Sequence, residues 1–504
     1  MAMEFAGKRF AVVGLGKSGL SVVRFCLKRG ATVLACDDRN EAALATSLAS
    51  LASLADAPGC EDAQHTGRLS FRLGGVRADV LAQADCIVCS PGVPPSHPAL
   101  VSARARGLPV TGEIEWASQF VRAPIVGITG TNGKSTVTSL CGAMAAETGR
   151  PSFCGGNLGT PLVDAVDTPA AQENGIVVVE LSSFQLETCV TLRCHAAALL
   201  NVTPDHLDRY PSLVEYGNAK ARIFAQQPPD ATRVVSADDD EAWALLARTL
   251  RDTDTCHFFT TQNPPPRRLV ERKGPGWLGC VDGGDLVLAP AFANTPFAKL
   301  LDSPATERYP LSELQVVGRH NQANVLAALL LFRASGLATP AQVRRAAASF
   351  HALPHRMQLI AKAQGVLFYD DSKGTNVDAV VAGLSGFGRP LALIAGGRDK
   401  GGSYAPLVAA LQQEPTRGVV LIGEAAPLLA QALAGSAFPV LHAPSLEVAV
   451  EQAFALCQKG DAVVLSPACS SYDMFRDYAH RAAVFCEAAA RLPGATPCLR
   501  GETS

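Results

Sequence analysis

The chain has 504 residues, 48% of them apolar and 18% charged, and carries a net charge of -2. At roughly 150 residues per domain, this length implies about three cores. The balanced charge gives no basic face for nucleic acid or a membrane surface, and no run of about 18 apolar residues exists to form a transmembrane helix.

Lys8 to Val13 reads as a short strand. It runs into Gly14-Leu15-Gly16-Lys17-Ser18-Gly19, then a helix to about Arg29 and a second strand from Ala31 to Cys36 that ends at Asp37-Asp38-Arg39. Lys8, Arg9 and Lys17 break the apolar run, so a strand and loop are expected here and not a signal peptide. The G-x-G-x-x-G spacing lets backbone approach a diphosphate, and an acid at the second strand's end meets a ribose hydroxyl. By itself this predicts NAD with Asp37 on the ribose, although other nucleotides use the same loop. A third strand, Cys86 to Cys89, ends at Ser90-Pro91-Gly92-Val93, which either joins this site or is a plain turn. Its C-x-x-C lies inside an apolar run. The 15 scattered cysteines therefore read as reduced core thiols of a cytosolic protein, not zinc ligands.

Thr111 to Ala123 is expected to bridge to a second α/β unit. Ile125-Val126-Gly127-Ile128 leads into Thr129-Gly130-Thr131-Asn132-Gly133-Lys134-Ser135-Thr136, and Val137 to Glu147 reads as a helix. Strand, glycine turn and helix in that order cradle phosphate. Lys134 would reach the outer phosphates and Ser135 would offer a hydroxyl to Mg²⁺. One glycine stands out of the usual spacing, because Gly127 falls one position early. Gly155-Gly156-Asn157-Leu158-Gly159 is a second glycine loop. Ile176 to Glu180 reads as a buried parallel strand, and Glu180 is either a metal ligand or the cap of the next helix. Leu199 to Val202 is expected to be the next strand, followed by Thr203-Pro204-Asp205-His206-Leu207-Asp208-Arg209-Tyr210. Tyr216 to Phe224 reads as a helix carrying Lys220, for which the plain expectation is a surface cation. Residues 227–310 are less regular, with a turn at Pro264-Pro265-Pro266 and a hairpin at Asp282-Gly283. Asn321 to Ala334 is an apolar helix, with Asn321 expected to cap it.

Pro354-His355-Arg356 reads as a second linker. In the third α/β series, Phe368-Tyr369 precedes Asp370-Asp371-Ser372-Lys373-Gly374-Thr375-Asn376. Leu391 to Ala395 precedes Gly396-Gly397-Arg398-Asp399-Lys400, Val419 to Ile422 ends at Gly423, and Ala462 to Leu465 precedes Ser466-Pro467-Ala468-Cys469-Ser470-Ser471. Four polar loops at four strand ends make a binding rim.

The stretches Gly130 to Thr136, Glu180 to Glu187, Asn201 to Tyr210, Leu353 to Arg356 and Asp371 to Asn376 closely resemble the Mur ligases, the ATP-dependent amide-forming enzymes of peptidoglycan synthesis. The resemblance covers nearly the whole chain and is weaker around residues 45–70 and 227–310. It implies an α/β fold of three domains, each a mostly parallel sheet flanked by helices: a Rossmann-like domain over 1–112, a P-loop ATPase-like domain over 113–352 and a Rossmann-like domain over 353–504. The displaced glycine is normal for the family.

The resemblance replaces the NAD reading with a uridine nucleotide in the first domain, held at Gly16, Lys17, Ser18, Asp37, Arg39, Ser90 and Gly92, with Asn157 and His206 also on that substrate. ATP is implied at Gly130, Thr131, Asn132, Gly133, Lys134, Ser135, Thr136, Asn321, Asn324, Arg356 and Asp371. Two Mg²⁺ ions are implied, at Ser135 and Glu180 and at His206 and Lys220, the latter as a carbamate. Within the family, the motifs point to the members that join D-glutamate to UDP-N-acetylmuramoyl-L-alanine, with D-glutamate at Lys373, Thr375, Lys400, Ser471 and Tyr478. Lys134, Glu180, His206, Lys220 and Lys373 are then the catalytic set. Tyr478 departs from a position where relatives carry Phe, and Ala482 from one where Gly is frequent. The resemblance also implies a cytoplasmic monomer with no nucleic-acid or membrane partner. A folylpolyglutamate synthase or a different Mur ligase is the rival within the superfamily, and a nucleotide-binding dehydrogenase built on the first domain the rival outside it.

Overall fold

The structure is a computed structural model and describes residues 5–52, 68–207, 209–249, 254–270, 276–290, 301, 303–315, 318–351, 353–385 and 387–497. Asp208 of the His-containing loop, most of the 45–70 stretch and parts of 227–310 lie outside the described residues. Three sheets follow one another along the chain. The first comprises β1 (Arg9–Val13), β2 (Thr32–Asp37), β3 (Leu69–Leu73), β4 (Cys86–Cys89) and β5 (Val110–Gly112), all parallel, in the order β3-β2-β1-β4-β5. The stretch expected to be a bridge is thus partly built in. It supplies β5 and the helix Glu113–Ser118, whose Trp116 is 1% exposed among Phe5, Phe10, Phe25 and Phe120.

The central sheet has nine strands: β6 (Ile125–Thr129), β7 (Ser152–Gly156), β8 (Ile176–Glu180), β9 (Ala196–Leu199), β10 (Thr232–Ser236), β11 (His257–Phe259), β12 (Trp277–Asp282), β13 (Asp285–Pro290) and β14 (Glu307–Pro310). Their order is β14-β13-β12-β11-β10-β9-β6-β8-β7. β12 and β13 form the expected antiparallel hairpin at Asp282↔Asp285. β9 begins and ends earlier than expected. Three alanines pair with β6 and β10 in the sheet interior, where their small side chains fit, whereas strand propensity favours β-branched residues.

The third sheet holds β15 (Gln358–Ala363), β16 (Val366–Asp370), β17 (Leu391–Gly396), β18 (Thr416–Ile422), β19 (Val440–His442), β20 (Ala462–Leu465) and β21 (Ala495–Pro497), in the order β19-β18-β17-β20-β16-β15-β21. β15 and β21 are its antiparallel members. The order reverses between β17 and β16 across β20. The loops after those three strands therefore meet at one crevice, as ligands require in open parallel sheets.

The three units are joined in two different ways. A single apolar cluster runs from Phe10 and Val12 of the first sheet through Trp116 to Val179 and Leu199 of the central sheet, and Arg29 on the first unit pairs with Asp167 at 2.6 Å. The two apolar clusters of the third unit contain only its own residues. Among the described residues no helix is long and apolar enough to cross a membrane. The described cysteines are free. Burial pushes the Cys86 and Cys89 thiols up to about 11 and about 12, which leaves them unreactive.

Candidate active site

Gly16, Lys17, Ser18, Asp37, Arg39, Ser90 and Gly92 all line one cleft of about 480 Å³ at the carboxyl ends of β1, β2 and β4. The glycine loop leads into the helix Lys17–Lys28. A Cβ at Gly19 would lie 1.9 Å from Gly14 O, so helix and loop pack without room for a side chain. Ser90 Oγ donates to Gly14 O at 2.6 Å, which makes the third loop a wall of the site and not a plain turn. Asp37 is engaged on both oxygens: Oδ2 accepts from Leu15 N–H (2.7 Å) and Arg39 Nη2 (2.8 Å), and Oδ1 from Arg39 N–H and Nε (both 2.9 Å). Burial pushes its carboxyl up, but the Arg39 and backbone hydrogen bonds outweigh this and hold it below the ordinary value. A carboxylate so used holds the loop and aims Arg39. It has little left for the two hydroxyls of a ribose.

The second glycine turn differs from the expectation at both ends. The helix starts at Lys134, directly after Gly133. Gly127 is a residue of β6, where a Cβ would lie 2.7 Å from Cys194 Sγ; it is a packing glycine and no part of the loop. The loop turns at Gly130 (φ +156°) and Gly133 (φ +84°). At Gly133 a Cβ would also meet Asn324 Oδ1 at 2.4 Å. Gly133→Ala is therefore expected to weaken ATP binding about tenfold, since the left-handed conformation alone costs a non-glycine residue about 1–2 kcal/mol. Titration of a non-hydrolysable ATP analogue checks this, and unchanged affinity contradicts it.

Lys134 Nζ donates to Gly130 O (2.9 Å) and Thr131 O (2.7 Å), and Lys220 Nζ donates to the same Gly130 O at 2.8 Å. Lys220 lies on the helix Leu213–Ala221, is 1% exposed and sits 4.3 Å from the Tyr216 ring centroid. The surface-cation expectation is thus overturned. Burial first, and then the Lys134 charge, drive its amine well below the ordinary lysine value; burial also lowers Lys134.

Glu180 ends β8 with 2% exposure. It caps nothing, because Ser182 and Gln185 form the capping box of the next helix. Asn157 Nδ2 donates to Glu180 Oε1 at 2.7 Å, while Glu180 Oε2 is buried with no hydrogen-bond partner. Asn157 therefore stands beside Glu180, and neither it nor His206 is among the residues that line the first-sheet cleft. His206 has φ +54° and rests on Phe184, ring centroids 4.8 Å apart.

Asn321 is not a cap. The helix Arg319–Ala334 is capped by Gly318, and Asn321 lies in its first turn, accepting from Asn324 Nδ2 at 3.4 Å. Asn324 flanks Gly133. Ser135 and Thr136 open the phosphate-loop helix.

From the third sheet, Asp371 accepts from Ser466 Oγ (2.5 Å), and burial pushes its carboxyl up to about 7. Arg356 has a buried Nε without a partner, and its charge acts on Lys134, Lys373 and Asp371. Lys373 Nζ lies 5.3 Å from the Tyr478 ring centroid. Lys400 Nζ reaches Thr375 Oγ1 (3.5 Å) and, across to the central unit, Asp205 Oδ1 (3.2 Å). Arg481, wholly buried, donates to Cys469 O and Ser372 O and so ties the loop of Ser471 to the turn of Lys373.

Sequence reasoning left Asp205, Asn201, Asn376 and Arg481 without roles. Asn376 carried a signal, as an asparagine directly before an apolar helix, and it does cap Val377–Leu384. The other three act through contacts distant in sequence.

Three Mur ligase domain families match in turn: the MurD-like N-terminal domain over residues 8–112, the middle domain over 128–332 and the glutamate ligase domain over 355–469. The chain belongs to the Mur ligase family, whose members are ATP-dependent ligases. It is 43% identical over 491 residues to the UDP-N-acetylmuramoylalanine–D-glutamate ligase of Syntrophotalea carbinolica, covering 97% of this chain and 99% of that one. It is 42% identical to the ligase of the same name from Anaeromyxobacter dehalogenans, over 96% and 98%. The fold is shared with MurC of Thermotoga maritima, with a TM-score of 0.55, 17% identity and coverage of 95% and 98%.

Proposed function

We propose that this protein joins D-glutamate to UDP-N-acetylmuramoyl-L-alanine at the expense of ATP, in cytoplasmic peptidoglycan precursor synthesis. The observation that carries the reaction class is the convergence of Lys134 and Lys220 on Gly130 O beside a buried Glu180 oxygen with no partner. The choice of substrates is supported by near-full-length similarity to ligases named for them.

A carboxylate resists attack by an amine, so it is first converted to an acyl phosphate. The terminal phosphoryl group of ATP passes to the alanyl carboxylate, the D-glutamate nitrogen attacks the acyl carbon, and the C–O bond to phosphate breaks. This chemistry depends on position and neutralised charge. The loop from Gly130 to Thr136 and the start of its helix hold the β- and γ-phosphates, with Asn321, Asn324, Arg356 and Asp371 around the rest of the nucleotide. Lys134 and Lys373 supply positive charge as the phosphoryl group moves. The first-sheet cleft holds the uridine diphosphate, with Arg39 aimed by Asp37. Lys400, Thr375, Ser471 and Tyr478 receive the two carboxylates of D-glutamate, where charge-assisted hydrogen bonds are strongest.

Among the described residues no group of three or more His, Cys, Asp or Glu side chains forms a ready-made metal site. The partnerless Glu180 oxygen and the Ser135 hydroxyl are nevertheless the hard donors that Mg²⁺ takes while leaving positions to substrate oxygens. His206 and Lys220, as its carbamate, would hold a second ion. When bound, the ions supply neutralisation of the phosphate and carboxylate charge.

ADP release is expected only when UDP-N-acetylmuramoyl-L-alanine and an amino acid are both present, with D-glutamate strongly preferred over L-glutamate, L-lysine and meso-diaminopimelate. Comparable rates with L-lysine reject the substrate assignment. In the same assay NAD is expected not to compete with the uridine substrate, because Asp37 is already occupied; inhibition by NAD at matched concentration restores the dinucleotide reading.

A further inference from the structure

The third unit has its own apolar cores, and its described contacts with the phosphate loop are polar. Asn132 in the loop is clamped through its backbone: its N–H donates to Asn201 Oδ1 (2.8 Å) and its carbonyl accepts from Asn201 Nδ2 (3.1 Å). Its side chain is left to face the third unit. There it meets Asn376 in a reciprocal amide pair, Asn376 Nδ2 to Asn132 Oδ1 at 3.2 Å and Asn132 Nδ2 to Asn376 Oδ1 at 3.5 Å.

Asn376 is 8% exposed, and its amide has one workable orientation. Oδ1 accepts Ala379 N–H at 2.8 Å to cap the helix Val377–Leu384. Nδ2 must therefore point away, towards Asn132 Oδ1 and Asp205 Oδ2 (3.5 Å). Asp205 completes the bridge by pairing with Lys400. Capping alone explains Oδ1 and leaves the Nδ2 contacts unexplained. The turn that carries Asn376 is stiff: Gly374 N–H donates to Asp371 O (2.7 Å) and Thr375 N–H to Lys373 O (2.9 Å). Displacing Asn376 thus displaces Lys373 and Thr375 with it.

We propose that Asn376 is a positioning residue through which a nucleotide on the phosphate loop sets the amino-acid-binding turn, so that ATP and D-glutamate bind cooperatively. This rests on the reading of the site given under Proposed function. A neutral amide pair exerts no long-range pull and forms only when both partners are in register, so it reports the loop's geometry to the turn. By linkage, the gain that the nucleotide gives to D-glutamate equals the gain that D-glutamate gives to the nucleotide.

The test is calorimetric titration of D-glutamate into the full chain with UDP-N-acetylmuramoyl-L-alanine and Mg²⁺, with and without a saturating β,γ-imido analogue of ATP. In the wild type the analogue is expected to tighten D-glutamate about tenfold, within the usual range of such couplings. Asn376→Ser keeps a capping oxygen but loses the Nδ2 donor and the reach. Its gain is expected to fall to about twofold or less, with affinity in the absence of analogue nearly unchanged. A full tenfold gain in Asn376→Ser overturns the proposal. So does an equal loss of affinity with and without the analogue, which marks a local role in the pocket. A wild type that binds both ligands without any gain overturns the coupling alone, whereas one that binds neither overturns the proposed function.

Discussion

Lys134→Ala is expected to lower turnover by about two to three orders of magnitude, the scale of losing one preorganised donor at a developing charge. Lys134 is a half-buried lysine that turns its Nζ onto two carbonyls of the loop, Gly130 O and Thr131 O. Those two bonds hold it at the turn, and its loss removes a preorganised cation from the phosphate-binding loop. Affinity for the uridine substrate should survive, since that cleft is built on the first sheet from residues 13–94. The measurements are steady-state ADP release and a separate titration of the uridine substrate. Loss of both in a protein with native melting behaviour would contradict the division of the site between two sheets.

Lys220→Ala is expected to abolish measurable turnover while the chain still folds. A buried lysine with its amine on one backbone carbonyl has two reasonable uses. As a neutral amine it packs against Tyr216. As a carbamate it becomes an anion beside the position proposed for a metal ion. Burial and the neighbouring Lys134 favour the uncharged amine, and the uncharged amine is the form that combines with carbon dioxide, forming an N–C bond and releasing one proton. The two uses are separated by Lys220→Met, which fills the same volume without a nitrogen. Packing predicts near-normal activity for that variant; the carbamate predicts none. Acetate should partly restore Lys220→Ala, because a small carboxylate can enter the vacated space, and should not restore Lys134→Ala. Near-normal turnover of Lys220→Ala in bicarbonate-free buffer would reject the carbamate.

How far the sequence could be read depended on the kind of interaction involved. Cys86–Cys89, Ile176–Glu180 and Ala462–Leu465 have the bounds read from the sequence. In each, a run of apolar residues between polar ones is the direct imprint of a strand buried on both faces. The alanine-rich β9 was misplaced because alanine carries no such imprint, and only its neighbours β6 and β10 make it a strand. The hairpin at Asp282–Asp285 was legible from its turn. Asn321 was taken for a cap because local chemistry allowed it; the chain turns at Gly318 instead.

By itself the sequence determined the three sheets, the two glycine loops and the list of polar residues at strand ends, because these follow from local periodicity and turn chemistry. Tertiary structure alone decided what those residues touch. Lys220 meets Gly130 across 90 residues, Lys400 meets Asp205 across 195, and Asn132 meets Asn376 across 244. No local pattern encodes such pairings, since they depend on which strand ends the sheet order brings together. Burial is decided at the same level. A lysine on a nine-residue helix looks solvated until the sheet and loop that cover it are in place, and covering it drives its amine well below the ordinary lysine value.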